Sequence, residues 1–376
     1  MDEFQEDGSR ALVEALARRI RRWGPITFRD YMEICLYHPR YGYYAAPRPP
    51  MGHGGDYLTS PELGPVFPVL LGRQLHQMWE VMGCPHPFQV VEVGGGTGAL
   101  ARGILAWARR HRPLFYRALR YIVVERSPYL RGLARRTLVA AGFGGRASFP
   151  RDLPPASVVG CILANEVVDA FPAHRVYRQG EELLEVYVGW DGRALREELG
   201  PLSTPDIAAY FRRLGLLPGE GCYAEVNLEA PSFMRWVGQR LSRGFALIID
   251  YGYEAPELYA PWRRDGTLMC FYRHRPSPSP YLRPGAQDMT AQVDFTTLME
   301  AGQEVGLRPL GLTDQAHFLA RLGIEDALRA PGLDPEEFLA RRRAISELMD
   351  PAGLGRLRVL VLEKGVGPCR LQGLHG

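Results

Sequence analysis

The chain has 376 residues, of which 46% are hydrophobic and 23% charged, and its formal net charge is +3. This composition is typical of a globular protein with a large core, and it excludes a mainly disordered chain. The small charge excess gives no electrostatic case for nucleic-acid binding, and no apolar run approaches the ~20 residues that cross a bilayer.

The sequence patterns predict neither a targeting segment nor a metal site. The first ten residues resemble neither a secretory signal nor an Arg-rich transit peptide, so we predict a cytoplasmic protein. No two of the six cysteines lie within four residues of each other. Because zinc sites usually use closely spaced cysteine pairs, we predict no metal site.

The predicted elements begin with a helix over residues 10–23, in which Leu12, Leu16 and Ile20 recur every four residues. A loop rich in Gly, Pro and Tyr follows over 37–65. The next predicted elements are helices at 66–82, 99–110 and 130–141, and strands starting at 90, 121, 158, 245 and 358. Strands that alternate with helices indicate parallel βαβ units, so the predicted fold class is α/β.

The pattern changes over residues 172–220. Two strands at 174–177 and 183–188 flank Gln179 and Gly180, which predicts an inserted β-hairpin flap. We expect an ordered loop at 271–287. The predicted domains are an N-terminal helical and lid region at 1–84, a catalytic core at 85–171 and 221–376, and the flap at 172–220.

A glycine-rich turn follows the strand that starts at Val90. Gly94, Gly96 and Gly98 permit tight turning and a close approach of the backbone to a ligand. The helix that follows offers free N–H groups and a partial positive charge. Glu92, at the end of the strand, can accept from the amino group of an amino-acid-like ligand. This favours S-adenosylmethionine, although a dinucleotide-binding turn has a similar glycine pattern.

Two further acids follow the next strands. Glu125 ends the strand 121–125, where a carboxylate can accept two hydrogen bonds from ribose hydroxyls. Asp152 is predicted near the tip of a third strand, where it could accept from an adenine amino group or cap a helix. We therefore predict that both contribute to cofactor binding.

Polar residues also follow the strands 158–164 and 245–250. Asn165 and Glu166 come after the first, and Asp250 ends the second. The ligand crevice of an open parallel sheet lies outside the carboxyl ends of its strands, so all three are candidate catalytic residues. Asp169 is a further candidate catalytic residue. If a helix starts after Asn165, Glu166 and Asp169 lie on the same face of that helix.

The loop before the first core helix contains Asp56, Thr59 and Ser60. Such a loop can close over a bound cofactor as a lid, although these residue types also cap local turns. We predict cofactor contacts for all three.

The chain resembles the MidA family of class I methyltransferases, which includes a mitochondrial complex I assembly factor. The segments that carry the resemblance run nearly end to end: 28–32, 36–39, 42–44, 55–62, 92–98, 164–166, 169–172, 250–252, 288–291, 293–295, Gln315 and 318–319. The family implies a seven-stranded methyltransferase sheet, S-adenosylmethionine as cofactor, and methylation of arginine in a protein substrate.

Two positions depart from the family pattern. The family usually has Gly-Pro-Gly-Arg-Gly where this chain has 94–98, and it often has His where this chain has Gln292. The glycine spacing survives, so cofactor binding is expected, whereas Gln292 could alter the target. Methylation of a small molecule or peptide, and a non-catalytic assembly factor that binds S-adenosylmethionine, remain alternatives.

If the methyl acceptor is arginine, as the resemblance implies, the acidic residues at the strand ends suggest a mechanism. A guanidinium stays protonated, so carboxylates that grip it can stabilise charge on the nitrogens that do not attack. We predict that Glu166 and Asp169 bind the guanidinium. Asn165 would order the site, and Asp250 would assist. The sequence does not indicate an oligomeric state.

Overall fold

The computed structural model describes residues 2–46, 51–52, 55–329 and 333–375. The chain forms two compact units. The first comprises Met1–Tyr57, Val168–Ser232 and Gly252–Leu298, and the second comprises Leu58–Val167, Phe233–Tyr251 and Met299–Gly376. We call the second the sheet unit and the first the flap unit.

The helices of the described residues are α1 (Asp2–Trp23), α2 (Phe28–Tyr37), α3 (Val66–Val81), α4 (Ala99–His111), α5 (Pro113–Ala118), α6 (Pro128–Ala140), α7 (Pro205–Leu214), α8 (Glu229–Arg240), α9 (Ala255–Leu258), α10 (Phe295–Glu304), α11 (Gln315–Arg321), α12 (Pro335–Met349) and α13 (Gln372–His375).

The strands of the described residues are β1 (Ile26–Thr27), β2 (Phe88–Val93), β3 (Leu119–Val124), β4 (Ala147–Ser148), β5 (Val158–Asn165), β6 (His174–Gln179), β7 (Glu182–Trp190), β8 (Leu195–Gly200), β9 (Tyr223–Val226), β10 (Leu241–Asp250), β11 (Gly252–Tyr253), β12 (Met269–Tyr272), β13 (Arg275–Pro276), β14 (Asp288–Thr290), β15 (Val293–Asp294), β16 (Arg308–Asp314) and β17 (Arg358–Lys364).

The sheet unit is built on a seven-stranded sheet of the described residues, in the order β16-β17-β10-β5-β2-β3-β4. Only β17 runs against its neighbours, and the other pairs are parallel. Its inner strands are nearly continuous apolar runs, as expected of strands covered on both faces. The last seven residues of β10 are all buried. The predicted α/β class with a mostly parallel seven-stranded sheet is confirmed.

The flap unit contains a five-stranded antiparallel sheet, in the order β1-β7-β6-β9 with β8 paired to β7. The predicted hairpin is present, since β6 and β7 pair from Val176–Glu185 to Gln179–Glu182. Helix α1 contains the predicted helix, and its residues Leu12, Leu16 and Ile20 are buried in the core of this unit. The flap is thus part of a larger sheet rather than an isolated hairpin.

Some elements differ from expectation. The stretch 271–287, predicted as a loop, contributes to a small sheet in which β12 pairs with both β13 and β14. The predicted domain boundaries stay a prediction, but the compact units divide the chain differently. Residues 58–84 pack with the sheet unit, and 252–298 pack with the flap unit. None of the described helices combines the length and the apolar character that a bilayer crossing requires.

Candidate functional site

The glycine-rich turn joins β2 to α4 at the carboxyl end of the sheet. Gly94, Gly96 and Gly98 have φ values of +68°, +51° and +81°, a left-handed region that side chains with a Cβ rarely adopt. The Gly94 N–H donates to the Val124 carbonyl at 2.9 Å, which ties the turn to the end of β3. A Cβ at Gly98 would lie 3.0 Å from the Ala134 Cα, so glycine also permits α4 and α6 to approach closely.

Glu92 lies beside this turn and is almost completely buried. Its Oε2 accepts from the Tyr121 hydroxyl at 2.8 Å. Burial raises the pKa of the Glu92 carboxyl to about 8, because the hydrogen bond from Tyr121 only partly offsets the cost of desolvating its charge, and no basic side chain of the described residues compensates the remainder. A ligand cation would supply that compensation, so the carboxyl suits the charged amino group of an amino-acid-like ligand.

The raised pKa of Glu92 predicts a stability effect. The folded chain keeps a proton on this carboxyl between about pH 4.5 and 8, where the unfolded chain has lost it. The unfolded state therefore binds fewer protons, and stability falls as pH rises through this window. We expect Glu92→Gln to reduce the fall in melting temperature between about pH 5 and 8. Thermal unfolding of both proteins in the absence of ligand tests this, and equal falls would contradict it.

Glu125 follows β3 directly and faces the same turn. Its Oε2 accepts from the Gly96 N–H at 3.2 Å, and its Oε1 accepts from the Ser127 N–H at 2.8 Å. Burial raises the pKa of this carboxyl, while the backbone N–H groups and Arg131 partly offset the shift. The carboxylate is therefore fixed against the glycine turn, in an orientation that leaves acceptor capacity for hydroxyl donors.

Asp152 lies farther from the strand ends than predicted. It follows β4 by four residues, and its side chain is exposed. Its Oδ1 accepts from the Trp236 Nε1 at 2.9 Å, and its Oδ2 accepts from the Arg240 Nη2 at 3.0 Å. These contacts stabilise the loop against α8, and the adenine contact of Asp152 stays a prediction.

Asn165 and Glu166 lie where β5 ends. The sheet register places Ala164 beside Val93, so these two residues follow directly beside the glycine turn. The Glu166 Oε1 accepts from the Asn165 Nδ2 at 2.9 Å and from the Ser60 N–H at 3.3 Å. The Asn165 Oδ1 is buried and has no hydrogen-bond donor within the described part of the chain. A buried carbonyl oxygen without a donor is costly, so it suits a ligand N–H.

The helix that we expected after Asn165 does not form. Glu166 has φ +54°, a left-handed value that ends the strand in a bend, and its N–H donates to the Ile249 carbonyl at 2.8 Å. The Val167 N–H donates to the Asp250 Oδ2 at 3.0 Å instead of starting a helical turn. The argument that Glu166 and Asp169 share a helix face is therefore wrong.

Asp250, at the end of β10, is fully buried. Its Oδ1 accepts from the Tyr251 N–H at 2.9 Å, while its Oδ2 holds the Val167 N–H. Because the sheet register sets Ile249 beside Asn165, this carboxylate fixes the bend that carries Glu166. Its observed contacts are those of a residue that positions its neighbour.

Thr59 and Ser60 introduce a short 3₁₀ turn, Ser60–Leu63, before α3. Both are buried, and the Ser60 Oγ donates to the Gln315 Oε1 at 3.1 Å. The Ser60 N–H contacts Glu166, as described above, so Ser60 lies at the candidate catalytic residues. Cofactor contacts of Thr59 and Ser60, and closure of this segment as a lid, stay predictions.

Two predicted site residues belong to the flap unit. Asp56 is buried, and its carboxylate accepts from the Tyr43 hydroxyl at 3.0 Å and from the Arg273 N–H at 2.8 Å. Asp169 lies in a turn, where its carbonyl accepts from the Ala291 N–H at 2.9 Å. These contacts order their own unit, and the proposed ligand roles of Asp56 and Asp169 stay predictions.

The sequence interpretation did not identify two residues of the site. Tyr121 is the hydrogen-bond partner of Glu92, and Gln315 receives the Ser60 hydroxyl and donates to the carbonyls of Leu348 and Leu354. Tyr121 could have been found as a polar aromatic residue in an otherwise apolar strand. Gln315 is one of the positions that match the family, but the sequence alone indicated no role for it.

Comparisons with known proteins agree with this geometry. Residues 70–313 match the profile of a family described as "Putative S-adenosyl-L-methionine-dependent methyltransferase". A curated protein of Drosophila melanogaster, named protein arginine methyltransferase NDUFAF7 homolog, mitochondrial, is 30% identical, with 96% of this chain and 86% of that protein covered. The human protein arginine methyltransferase NDUFAF7, mitochondrial, is 29% identical, with coverage of 87% and 77%.

A solved structure is also similar. The crystal structure of a Burkholderia thailandensis protein bound to S-adenosyl-homocysteine superposes with a TM-score of 0.88 at 35% sequence identity. The similarity covers 98% of this chain and 95% of that one. The prediction of a cytoplasmic protein is contradicted by the curated relatives, which are named as mitochondrial.

Proposed function

The chain belongs to this family of S-adenosyl-L-methionine-dependent methyltransferases, and from that premise we propose that it methylates arginine side chains of a protein substrate. The cofactor is S-adenosylmethionine, which when bound supplies a methyl group that a nucleophile can attack. The arginine target is supported by the names of the curated relatives and by the chemistry of the strand ends.

The residues beside the glycine turn fit this cofactor. We propose that Glu92 binds the amino group, because its buried carboxyl has no compensating cation among the residues that the structure describes. Glu125 would accept from the ribose hydroxyls, since its carboxylate is already fixed against the Gly96 N–H. The turn from Gly94 to Gly98 would bring the backbone close to the ligand, as its left-handed glycines permit.

One observation carries the arginine proposal: the Glu166 carboxylate lies hydrogen-bonded to Asn165, whose own Oδ1 is buried without a donor in the described structure. A guanidinium offers five N–H donors in a fixed fork, which these two acceptors can receive together. Glu166 would stabilise the guanidinium charge, and Asn165 would orient the attacking nitrogen.

Proton balance gives Glu166 a second task. A guanidinium is already protonated, so one N–H proton must leave as the new N–C bond forms. A carboxylate within hydrogen-bond reach of that nitrogen can accept the proton directly or through water. Asp250 would act only through the bend that it holds, by keeping Glu166 in place.

We expect Asn165→Ala to lower kcat on an arginine peptide by about tenfold to a hundredfold. The substitution removes the orienting Oδ1 and also the Nδ2 that holds Glu166. S-adenosylhomocysteine affinity should change by less than about twofold, because Asn165 is assigned to the acceptor rather than to the cofactor. Steady-state kinetics and calorimetry on the same preparation measure both, and an unchanged kcat would contradict the role of Asn165.

The proposed function is tested with matched peptides that differ at one position. Arginine, lysine and citrulline versions are incubated with the enzyme and S-adenosylmethionine that carries an isotopically labelled methyl group. Label on the arginine peptide alone supports the proposal. Label only in a parallel incubation with a small-molecule extract would favour the small-molecule alternative, and cofactor binding without any labelled product would favour the assembly-factor alternative. Either of these two results contradicts arginine methylation.

A further inference from the structure

We infer that a groove along α3 of the sheet unit binds an acidic segment of the protein substrate. That the bound segment belongs to a substrate rests on the proposed function. The groove lies between α3, the end of α4, and the segments that surround α11 and α12. It involves none of the residues assigned above to the cofactor or to the acceptor.

The groove is larger than a small-molecule site. Its volume is about 1220 Å³, whereas sites for drug-sized ligands are usually roughly 300–1,000 Å³. Its apolar lining includes Val69, Ala327 and Leu333, which are partly exposed and can receive the aliphatic parts of a peptide. The size and the mixed lining together favour an extended peptide segment.

The acids of the groove are already paired with basic side chains. Asp326 lies 3.4 Å from the Arg73 guanidinium. The other two pairs are Glu80 with His76 and Glu337 with Arg341. Asp326 and Glu337 are therefore compensated by arginine, whereas burial lowers the pKa of His76, so this ring compensates the Glu80 charge only when the pH is low enough to protonate it.

The two arginines at one end are not compensated. Arg110, His111 and Arg112 line the groove, and none of them forms an ion pair with any residue that the structure describes. Arg110 has no hydrogen-bond acceptor there either, and the Arg112 Nη1 donates only to the His111 carbonyl. This end therefore carries excess positive charge that an acidic ligand would neutralise.

The environment of His111 agrees with this charge. Its pKa is lowered, first by partial burial and then by the nearby Arg110, Arg112 and Arg73 guanidinium groups. The positive charge at this end is therefore that of the guanidinium groups around His111, whose own ring is uncharged near pH 7. Attraction to the helix dipole explains basic residues at the end of α4, where Arg112 is the C-cap residue, but it does not explain why Arg110 and Arg112 have no ion-pair partner in the described structure.

One end of the groove lining is close in sequence to the candidate catalytic residues. Its lining starts at Pro65 and Val66, a few residues after the Ser60 N–H that contacts Glu166, and it extends to Glu80. The helix between Val66 and Glu80 is roughly 20 Å long, a distance that about six extended peptide residues span. A substrate arginine at Glu166 and an acidic segment at Arg110 and Arg112 would fit one peptide.

The test uses fluorescence anisotropy with the full-length protein. The probe is a labelled peptide with one arginine, a spacer of about six Gly and Ser residues, and a run of glutamates. Its control peptide has glutamine in place of each glutamate. The test variant is the double substitution R110E/R112E, and the matched control variant is R109E. Arg109 belongs to the same helix turn but lies over the Phe143 ring and does not line the groove.

We expect the glutamate peptide to bind about tenfold more tightly than the glutamine peptide at low salt. The preference should disappear in R110E/R112E and persist in R109E, with equal melting temperatures. Equal affinity of both peptides, or the same loss in R109E, would overturn the inference. Citrate or a short DNA strand, at a similar concentration of negative charge, should not displace the labelled peptide. Displacement by either would also overturn the inference, because the groove would then bind any anion.

The two proposals fail separately. Methyl transfer to the neutral arginine peptide tests the proposed function without the groove. If that transfer occurs and the acidic preference is missing, only the groove inference is wrong. If the preference is present and no arginine is methylated, the groove is a binding site for acidic peptides and the proposed function is wrong.

Discussion

Glu166→Gln should lower kcat/KM for arginine methylation by about a hundredfold or more. The substitution keeps a carbonyl oxygen that can still accept from the Asn165 Nδ2 and the Ser60 N–H. It removes the negative charge that stabilises the guanidinium and the group that accepts its proton. The loss should therefore appear in the chemical step, while the local fold is retained.

Two measurements separate this loss from damage to the fold. S-adenosylhomocysteine affinity and melting temperature should match those of the wild type, since Glu166 is not assigned to the cofactor. The matched control is Glu347→Gln, an exposed carboxylate on α12 of the same unit. The control should retain full activity, and a Glu166→Gln enzyme with wild-type kcat would contradict the catalytic role.

Gly96→Val should weaken S-adenosylhomocysteine binding by about a hundredfold or more. Gly96 has φ +51°, where a β-branched side chain is strained, and its N–H holds the Glu125 carboxylate. Valine would therefore shift the turn and release the carboxylate proposed to bind the ribose. Isothermal titration calorimetry measures the affinity directly.

Gly83→Val provides the matched control for backbone strain. Gly83 also belongs to the sheet unit and has φ +79°, and a Cβ there would meet nothing within 4 Å. Both substitutions should lower the melting temperature, because both place valine in the left-handed region. Only Gly96→Val should lose cofactor affinity. Equal affinity of the two variants would contradict the cofactor role of the turn.

The sheet could be predicted because its strands are buried on both faces. Runs such as 158–164 and 245–250 are continuously apolar and lie between helical patterns, which is a strong local signal. Strand β16 was not predicted, because its residues are mostly half-buried and include Pro309 and Gly311. The division into two compact units could not be predicted from the sequence either, because each unit packs together segments that are distant along the chain.

The site was predictable to the extent that the strand ends define it. Glu92, Glu125, Asn165 and Glu166 lie at carboxyl ends of parallel strands, as the βαβ pattern implies. The helix after Asn165 was not correctly predicted, because the bend depends on distant contacts with Ile249 and Asp250 that no local pattern encodes.

The most direct test of the central claim identifies the residue that receives the methyl group. The enzyme and its Glu166→Gln variant are incubated with a protein extract and labelled S-adenosylmethionine, and the labelled proteins are hydrolysed to amino acids. We predict labelled methylarginine with the wild type and a loss of about a hundredfold or more with the variant. Label on any other residue, or labelled methylarginine at equal levels with both proteins, would contradict it.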